Sequence, residues 1–386
     1  MALKVLYIDD IPTPYRLAIH QHFNVTGDEH YRVLFCAKEE PGRRWSIDFG
    51  KLDYVVLSGW QLRPPKQISP FSFKFNPQVL KELRKFSPDR VVLSGYAHPT
   101  MWLAAWWCRH NSVPYGLSCE TSESHGNAIK RTIKQIFIGA VLKGISFGLP
   151  VSRKAGQFLR KLSQKPNLPI FLFPNTPDTH HIQMETKRGA AAIANREDLT
   201  ALGVPKSGKI VLFVGRLIAA KRPLDLLNAY LLLPYKIRQN SHLVFVGDGP
   251  LAKEVAARCQ DGDLLHMLGW ISDWAKLTRI MASADVFVLP SSYEPWGTVV
   301  NEAMMCGLPV VASDQVGAAR EMIEHGKNGF IYPVADIAAL ELLLEDILQN
   351  NHLAKLALAA QTTAKEFNHE FAVKNLRNAI VSKSLK

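Results

Sequence analysis

The sequence predicts an α/β protein made of two Rossmann-like domains, and three observations lead to this prediction. The chain has 386 residues, which is too long for one ordinary core, so two domains of roughly 150 to 200 residues are expected. Short apolar runs of strand length alternate with helical segments, as in a parallel, doubly wound sheet. The alternation occurs twice, and a turn-rich segment, residues 175–178 (NTPD), separates the two sets. We therefore expect two sheets of similar design with a hinge between them.

The first predicted domain covers residues 1–178. Residues 4–8 form its first strand, which ends at two aspartates, and a proline-rich turn at residues 11–16 (IPTPYR) leads into the first helix. No glycine-rich phosphate-binding fingerprint follows this strand. Five further strands are predicted, at residues 31–37, 52–57, 90–94, 115–118 and 148–151.

The second predicted domain covers residues 179–368, and residues 369–386 are expected to form a helix that packs back on the first domain. Six strands are predicted, some with the turn that follows, at residues 210–216, 243–250, 266–270, 286–290, 309–312 and 330–333. Open α/β sheets bind ligands beyond the carboxyl ends of their strands. The two domains are therefore expected to face one another across a ligand-binding cleft.

Charge is distributed unevenly along the chain. The net charge is +12, and residues 1–178 hold 24 Lys+Arg against 13 Asp+Glu, whereas the remainder holds 22 against 21. A basic first half indicates an anionic partner, such as a membrane surface, a lipid-linked phosphate or nucleic acid, or else a basic surface without a partner. No stacking aromatic motif accompanies the charge, so a nucleic-acid partner is not expected.

The cysteines and the apolar runs bear on the cellular compartment. The five cysteines are scattered without a CxxC pair, which supports neither a disulfide framework nor a zinc site. The longest apolar run, residues 136–151, is interrupted by Lys143 and is shorter than the roughly 20 residues that cross a bilayer. No secretory signal is visible at the first apolar run. We expect a cytoplasmic protein, either free or at the inner face of the membrane.

One stretch, residues 290–314 (PSSYEPWGTVVNEAMMCGLPVVASD), organises the second domain. It predicts a strand end, a glycine-containing loop, a helix that opens near Thr298, and a second strand. Glu294 and Glu302 are eight positions apart, so they do not share one helical face and can hold different parts of one ligand. The backbone amides of residues 296–299 lie at a helix N-terminus, which suits a phosphate or a sugar oxygen.

Four segments of the second half resemble a known family. They are FVGRLIAAKRPLDLL (residues 213–227), FVGDGPL (245–251), ADVFVLPSSYEPWGTVVNEAMMCGLPVVASD (284–314) and IEHGKNGFIYP (323–333). In this order and spacing they resemble the family 4, GT-B fold, retaining glycosyltransferases, also known as group 1. The IPTPYR and GYAHPT motifs of the first half are similar to members that assemble bacterial surface polysaccharides. The resemblance implies a nucleotide-sugar donor on the second domain and an acceptor on the first.

The resemblance also implies roles for particular donor-side residues. Arg216 and Lys221 would neutralise the leaving diphosphate without a metal. Glu302 would accept hydrogen bonds from the ribose hydroxyls, and Glu294 would lie against the donor sugar. The other implied donor-binding positions are the amides of Trp296, Gly297, Thr298 and Val299, the backbone of Met267 and Leu268 at the base, and the glycines Gly215 and Gly247, where the chain approaches the nucleotide closely.

The acceptor side is predicted less completely. Where many family members carry a histidine in the loop after the strand that corresponds to residues 115–118, this chain has Cys119-Glu120-Thr121, with His125 five residues beyond Glu120. Either Glu120 or His125 can face the leaving diphosphate, and same-face attack without a side-chain base is the alternative. Three further candidates for acceptor or phosphate contact are Tyr15, Arg16 and His98, the first two of which also fit ordinary packing at a helix start.

The expected activity is transfer of a hexose from a UDP-sugar to a saccharide or lipid-linked saccharide, with retention and without a metal or other cofactor. UDP-glucose is the first choice of donor, and GDP-mannose and UDP-N-acetylglucosamine stay open. A basic amphipathic pattern at residues 129–143 fits either an anionic membrane or a core-facing helix. The DxD triplet at residues 261–263 is expected to be a surface turn. The alternatives are a sugar-nucleotide epimerase and a non-catalytic nucleotide-sugar-binding protein.

Overall fold

The structure is a computed structural model, and it describes residues 2–40, 47–62, 72–120, 139, 141–258, 264–349 and 353–382. The chain forms two compact units. Unit 1 comprises Met1–Thr176 and His369–Lys386, and unit 2 comprises Pro177–Asn368. The first boundary between the units therefore lies two residues before the predicted one.

Both units are built on parallel strands. The strands are β1 (Lys4–Asp9), β2 (His30–Phe35), β3 (Tyr54–Val56), β4 (Trp60–Leu62), β5 (Phe73–Phe75), β6 (Arg90–Ser94), β7 (Tyr115–Cys119), β8 (Ile145–Pro150), β9 (Lys209–Val214), β10 (Ser241–Val246), β11 (Leu265–Met267), β12 (Val286–Leu289), β13 (Val310–Ser313) and β14 (Gly329–Tyr332). All twelve predicted strands are confirmed. The antiparallel pair β4 and β5 was not predicted.

Helices follow most of the strands. They are α1 (Pro14–Thr26), α2 (Gln78–Phe86), α3 (Pro99–His110), α4 (Arg153–Ser163), α5 (Thr179–Arg188), α6 (Ala190–Ala194), α7 (Glu197–Thr200), α8 (Pro223–Leu232), α9 (Tyr235–Arg238), α10 (Ala252–Ala257), α11 (Trp274–Ala282), α12 (Thr298–Met305), α13 (Gly317–Met322), α14 (Ile337–Gln349), α15 (Leu353–Glu366) and α16 (His369–Val381). Within the described ranges, none of these helices combines the length and the apolar character needed to cross a bilayer.

The sheet of unit 1 has helices on both faces. Its strand order is β3-β2-β1-β6-β7-β8, and all neighbours are parallel. Leu6 and Ile8 pack into the core with α2, α3 and α4, whereas Val5 and Tyr7 pack into the core with α1 and α16. Successive side chains of a strand point to opposite faces. A strand covered on both faces therefore reads as a continuous apolar run.

The last helix, α16, closes one face of unit 1. Ala372 and Leu376 are fully buried in the core that contains α1. Arg377 donates hydrogen bonds from Nη2 to the Phe23 carbonyl oxygen, at 3.2 Å, and to the Thr26 hydroxyl, at 3.1 Å. The C-terminal helix thus belongs structurally to the basic first unit.

The sheet of unit 2 repeats the same plan. Its order is β11-β10-β9-β12-β13-β14, again with parallel neighbours. In each unit the chain winds outward from the first strand and then returns to that strand's other side. The topological switch point therefore lies between β1 and β6 in unit 1 and between β9 and β12 in unit 2. Loops at the carboxyl ends of these strands form the crevice in which such sheets bind ligands.

Candidate functional site

An ion pair spans the switch point of unit 2. Lys221 ends a single 3-10 turn (Ala219–Lys221) that follows β9, and Glu294 lies in the loop that follows β12. Lys221 Nζ contacts Glu294 Oε2. The two side chains retain 19% and 17% of their accessible surface, so both remain open to solvent. The structure therefore brings together Lys221, which was predicted to act on the diphosphate, and Glu294, which was predicted to act on the sugar.

Backbone hydrogen bonds fix the loop that carries Glu294. The Ser292 amide donates to the Ala220 carbonyl oxygen at 2.8 Å, which ties this loop to the turn that carries Lys221. On the other side the Glu294 amide donates to the Gln315 carbonyl oxygen at 3.2 Å, and the Gly317 amide donates to the Glu294 carbonyl oxygen at 3.0 Å. The positions of both charged side chains are therefore set by main-chain contacts to three strand ends.

A glycine makes the turn from this loop into α12. Gly297 adopts the left-handed conformation with φ 94°, and an added Cβ would lie 2.9 Å from Glu294 Cγ. A side chain here would strain the backbone and displace the carboxylate. Trp296 anchors the same turn, because its indole is buried 6.1 Å from the Phe367 ring and its carbonyl oxygen accepts from the Ala318 amide at 2.7 Å.

The helix begins at Thr298, as predicted. Its first amides, including those of Thr298 and Val299, lie at the positive end of the helix dipole beside the Lys221 and Glu294 pair. Glu302 lies in the second turn and is buried rather than solvated. Burial and then the charge of Glu302 raise the pKa of the Cys306 thiol one turn later.

The glycines predicted to approach the nucleotide instead make a close contact between two loops. Gly247 has φ 135°, and a Cβ there would lie 2.0 Å from the Gly215 carbonyl oxygen. The Gly215 amide donates to the Val246 carbonyl oxygen at 2.9 Å, and the Leu217 amide donates to the Asp248 carbonyl oxygen at 2.9 Å. The glycines are thus needed to join the loops after β9 and β10, and contact with a nucleotide stays a prediction.

The other predicted donor-side residues lie on the same edge of the unit 2 sheet. Arg216 is exposed, and its guanidinium has no hydrogen-bond partner among the residues that the structure describes. Met267 ends β11, the edge strand, and the Leu268 amide donates to the Phe245 carbonyl oxygen at 2.9 Å. Met267 and Leu268 thus lie at the edge of the unit 2 sheet, and their contact with the base stays a prediction.

Of the two residues predicted to face the leaving diphosphate from the acceptor side, the structure describes only Glu120. Glu120 directly follows β7, is exposed, and accepts a hydrogen bond from Asn175 Nδ2 at 3.0 Å. His125 lies outside the described residues. The same holds for most of the basic segment 129–143 and for the DxD triplet at 261–263. The choice between Glu120 and His125 as a base stays open.

Tyr15, Arg16 and His98 occupy the switch-point edge of unit 1. Arg16 is buried with its guanidinium 4.2 Å above the Phe173 ring, which is the packing role expected as the alternative. Tyr15 is half-buried in the first turn of α1. His98 is buried, and its Nε2 lies 2.9 Å from Asp10 Oδ1.

Sequence reasoning missed a buried charge network beside His98. Lys74 Nζ lies 2.6 Å from Asp10 Oδ1 and 2.8 Å from Glu40 Oε2, and its side chain is only 1% exposed. Burial alone would lower the pKa of Lys74, but the charges and hydrogen bonds of the two acids outweigh burial and raise it. The only signal in the sequence is a lysine between two phenylalanines in residues 73–75, a pattern that gives no indication of its partners.

Burial opposes ionisation of both acids in this network. Hydrogen bonds from Lys74 and Ser72 nevertheless lower the pKa of Glu40. Hydrogen bonding and charge from His98, followed by the charge of Lys74, lower the pKa of Asp10. The network therefore joins one buried lysine to two acids whose pKa values are lowered. In the described part of the chain, no group of three or more His, Cys, Asp or Glu side chains is placed to hold a metal ion.

Comparison with known proteins gives matches to part of the chain. Residues 195–367 match the family model described as glycosyl transferases group 1. The phosphatidyl-myo-inositol mannosyltransferase of Mycobacterium leprae is 36% identical over 166 residues, which are 42% of this chain and 43% of that protein. The O-antigen chain mannosyltransferase B of Escherichia coli is 32% identical over 174 residues, which are 44% of each chain. The chain thus spans less than half the length of these two curated relatives.

Solved structures extend the likeness to the whole chain at the level of the fold. The crystal structure of Anabaena HepE in complex with UDP has a TM-score of 0.73 and 18% sequence identity, and the match covers 98% of this chain and 100% of that chain. An identity this low shows the fold alone. Its two Rossmann-like units give this chain the GT-B fold, and its residues 195–367 match the model of the group 1 glycosyl transferases.

Proposed function

We propose that the protein is a retaining glycosyltransferase that moves a hexose from a UDP-sugar to a saccharide or lipid-linked saccharide in polysaccharide biosynthesis. The observation that carries the proposal is the solvent-open pair Lys221–Glu294 at the switch point of unit 2, beside the start of α12. A cation, a carboxylate and helix amides at one point match the needs of glycosyl transfer from a diphosphate. HepE, which shares the fold, binds UDP and UDP-glucose, which supports glucose as the first choice of sugar.

The donor would be held by charge without a metal. Arg216 and Lys221 flank the loop after β9, and each charged hydrogen bond to a phosphate oxygen contributes about 1.5 to 3 kcal/mol. The amides of Thr298 and Val299 add the positive end of a helix. Glu302, one turn later, presents a carboxylate that can accept two hydrogen bonds from a ribose diol. The edge-strand backbone at Met267 and Leu268 would contact the base.

The reaction breaks the bond between the anomeric carbon and the diphosphate oxygen and forms a bond from that carbon to an acceptor hydroxyl on the same face. The departing phosphate oxygen takes the acceptor proton. Glu294 stabilises the positive charge that develops at the anomeric carbon, and Lys221 and Arg216 stabilise the negative charge on the leaving diphosphate. Glu120 and His125 are the candidates for an assisting side chain on the acceptor side.

The acceptor is proposed to bind unit 1. This unit holds 28 Lys+Arg against 13 Asp+Glu, whereas unit 2 holds 18 against 21. A surplus of positive charge favours an acceptor that carries a lipid-linked phosphate and a location at the inner, anionic face of a membrane. The mannosyltransferase relatives keep GDP-mannose open as a donor.

The test measures UDP release and sugar transfer from UDP-glucose, GDP-mannose and UDP-N-acetylglucosamine. We expect one donor to be used, and Lys221→Ala and Glu294→Gln to lower its turnover about a hundredfold to a thousandfold. Lys327→Ala is the matched control, because Lys327 forms an exposed pair with Glu324 in the same unit, and it should keep the wild-type rate. Wild-type rates in both site variants would contradict the proposal. Interconversion of the donor without an acceptor would indicate an epimerase, and UDP binding without turnover would indicate a non-catalytic protein.

A further inference from the structure

The strand pair β4 and β5 in unit 1 carries an unusual pattern of side chains. The register places Trp60 opposite Phe75 and Leu62 opposite Phe73. Since opposite residues share a face and successive residues alternate, these four side chains lie on one face of the ribbon. The Trp60 and Phe75 rings stack with centroids 5.6 Å apart. We name this set of four the apolar ribbon face.

The apolar ribbon face points to solvent. Trp60 and Leu62 are each 62% exposed, and Phe73 is 36% exposed. The opposite face carries Lys74, which is buried between Asp10 and Glu40. On β4 every residue is exposed, including Gln61 on the opposite face. On β5 the charged residue Lys74 is buried and Phe73 is exposed, which reverses the usual arrangement of an apolar side inward and a charged side outward. Clustered exposed apolar side chains of this kind mark an interaction site.

Several contacts prevent the ribbon from turning over. The Lys74 amide donates to His98 Nδ1 at 3.3 Å, and the Asn76 amide donates to the Thr100 hydroxyl oxygen at 2.9 Å. The side chain of Asn76 donates to the carbonyl oxygens of Cys36 and Leu57, at 3.1 and 3.3 Å. These bonds join the ribbon to the ends of β2 and β3 and to the start of α3, so its outward face is fixed.

Charge and composition decide what this face binds. Unit 1 has a surplus of 15 positive charges, from 28 Lys+Arg against 13 Asp+Glu, which attracts an anionic surface and repels a second copy of the same unit. Indole and phenyl rings together with a leucine are the side chains that enter the boundary between headgroups and acyl chains. A leucine adds nothing to stacking on a sugar ring, so an acceptor sugar alone does not explain Leu62.

We propose that the apolar ribbon face docks unit 1 on the surface of an anionic lipid bilayer. The basic surface of the unit supplies the long-range attraction, and Trp60, Leu62 and Phe73 supply the insertion. The purpose of the contact, access to a lipid-linked acceptor, rests on the proposed function. The contact itself needs no nucleotide sugar and no acceptor.

The experiment is co-sedimentation of the full chain with vesicles. Mixed phosphatidylglycerol and phosphatidylcholine vesicles should bind the wild-type protein, and phosphatidylcholine alone should bind it more weakly. The double variant Trp60→Ser/Leu62→Ser should lower the partition coefficient at least about tenfold. The matched control is Trp270→Ser/Leu232→Ser in unit 2, where the same residue types are 74% and 63% exposed. The control should bind vesicles like the wild type.

Two results would overturn the proposal. One is equal vesicle binding by the ribbon variant and the wild type, with the control also unchanged. The other is no vesicle binding by the wild type together with a dimer in sedimentation velocity that only the ribbon variant dissociates, which would assign the face to a second copy. UDP release by the wild-type protein is measured without vesicles, so failure of membrane docking and failure of the proposed transferase activity are separate results.

Discussion

The switch points of the two units carry opposite charge arrangements at equivalent positions. In unit 2 a cation, Lys221, follows the first strand, and an acid, Glu294, follows the strand across the switch point. In unit 1 an acid, Asp10, follows the first strand, and His98 comes from beyond the strand across the switch point, 2.9 Å away. In each sheet a polar contact thus joins the two central loops. The group that follows the first strand is a cation in unit 2 and an acid in unit 1.

The two crevices differ in how completely their charges are compensated. In unit 1 the acid Asp10 also contacts the buried Lys74, which in turn contacts Glu40. In unit 2 Lys221 contacts Glu294, and the nearby Arg216 has no partner among the described residues. The unit 2 crevice therefore retains positive charge for an anionic ligand. In the unit 1 network the charged side chains contact one another.

The charge at each switch point therefore differs from the net charge of its unit. Unit 1 is strongly basic, but the lysine at its switch point lies between two acids. Unit 2 has 18 Lys+Arg against 21 Asp+Glu, but its switch point is locally positive. A diphosphate would be recognised by a few placed groups, whereas a membrane responds to the summed charge of a surface. The net charge of a unit thus indicates whether the unit is attracted to an extended charged surface. It does not indicate the charge of the ligand site.

The largest effect on stability is expected from Lys74→Met in unit 1. Lys74 is only 1% exposed, and its removal leaves the half-buried acids Asp10 and Glu40 next to each other without their cation, which costs about 3 kcal/mol of the free energy of unfolding. Lys221→Met should cost at most about 1 kcal/mol, because solvent reaches both members of that pair. Urea unfolding of both variants, followed by near-UV circular dichroism, measures the difference.

A neutral triple variant tests the cause. Lys74→Met combined with Asp10→Asn and Glu40→Gln removes the unpaired acids, and stability should recover in part. If the triple variant is less stable than Lys74→Met alone, packing of the lysine stem rather than charge compensation holds the ribbon. Equal losses for Lys74→Met and Lys221→Met would remove the distinction between the two switch points.

A smaller and pH-dependent effect is expected from His20, next to the same crevice. Its ring is buried between Asp9 Oδ2, at 3.1 Å, and the Tyr31 hydroxyl, at 2.6 Å. Burial lowers the pKa of His20 from 6.5, more than the Asp9 carboxylate raises it, and the charge of Arg16 lowers it further. The unfolded state then binds more protons below pH 6.5, so unit 1 loses stability as the pH falls.

The slope is at most about 1.4 kcal/mol per pH unit. Urea unfolding of the wild type and of His20→Gln, compared between pH 7 and about pH 5, measures the contribution of His20 to this slope. The variant should be less stable at pH 7 and should show a shallower slope in this window. An identical slope in both proteins would mean that other groups produce the pH dependence.

The sequence was sufficient to predict the sheets and the helix start at Thr298. Strands such as β1 and β10 are covered on both faces, so their apolar runs are continuous. Glu294 and Glu302 lie within a single continuous stretch that includes this helix start, and their roles stay predictions. In such a stretch local chain geometry brings the functional groups to one edge of the sheet.

Contacts between distant segments could not be predicted. Lys74 and Asp10 are 64 positions apart, and no local periodicity connects a lysine in a three-residue strand to a carboxylate after β1. In the sequence, Gly247 indicates only a glycine-rich loop. The structure shows why a glycine is needed there, because a Cβ would lie 2.0 Å from the Gly215 carbonyl oxygen. β4 and β5 have three residues each, which is too short for a pattern of alternation to identify them. β3 has the same length, but it lies within the predicted apolar run at residues 52–57.

The smallest effect is expected from an exposed ion pair of the same length as the buried one. Arg258 Nη2 lies 2.6 Å from Glu254 Oε1 on unit 2, with side chains 47% and 44% exposed, and Lys74 Nζ lies 2.6 Å from Asp10 Oδ1 in unit 1. Glu254→Gln should cost no more than about 0.5 kcal/mol, and about 1 M salt should abolish that cost. Urea unfolding of unit 2 at low and high salt measures it. A loss near that of Lys74→Met would mean that distance, and not burial, sets the strength of both pairs.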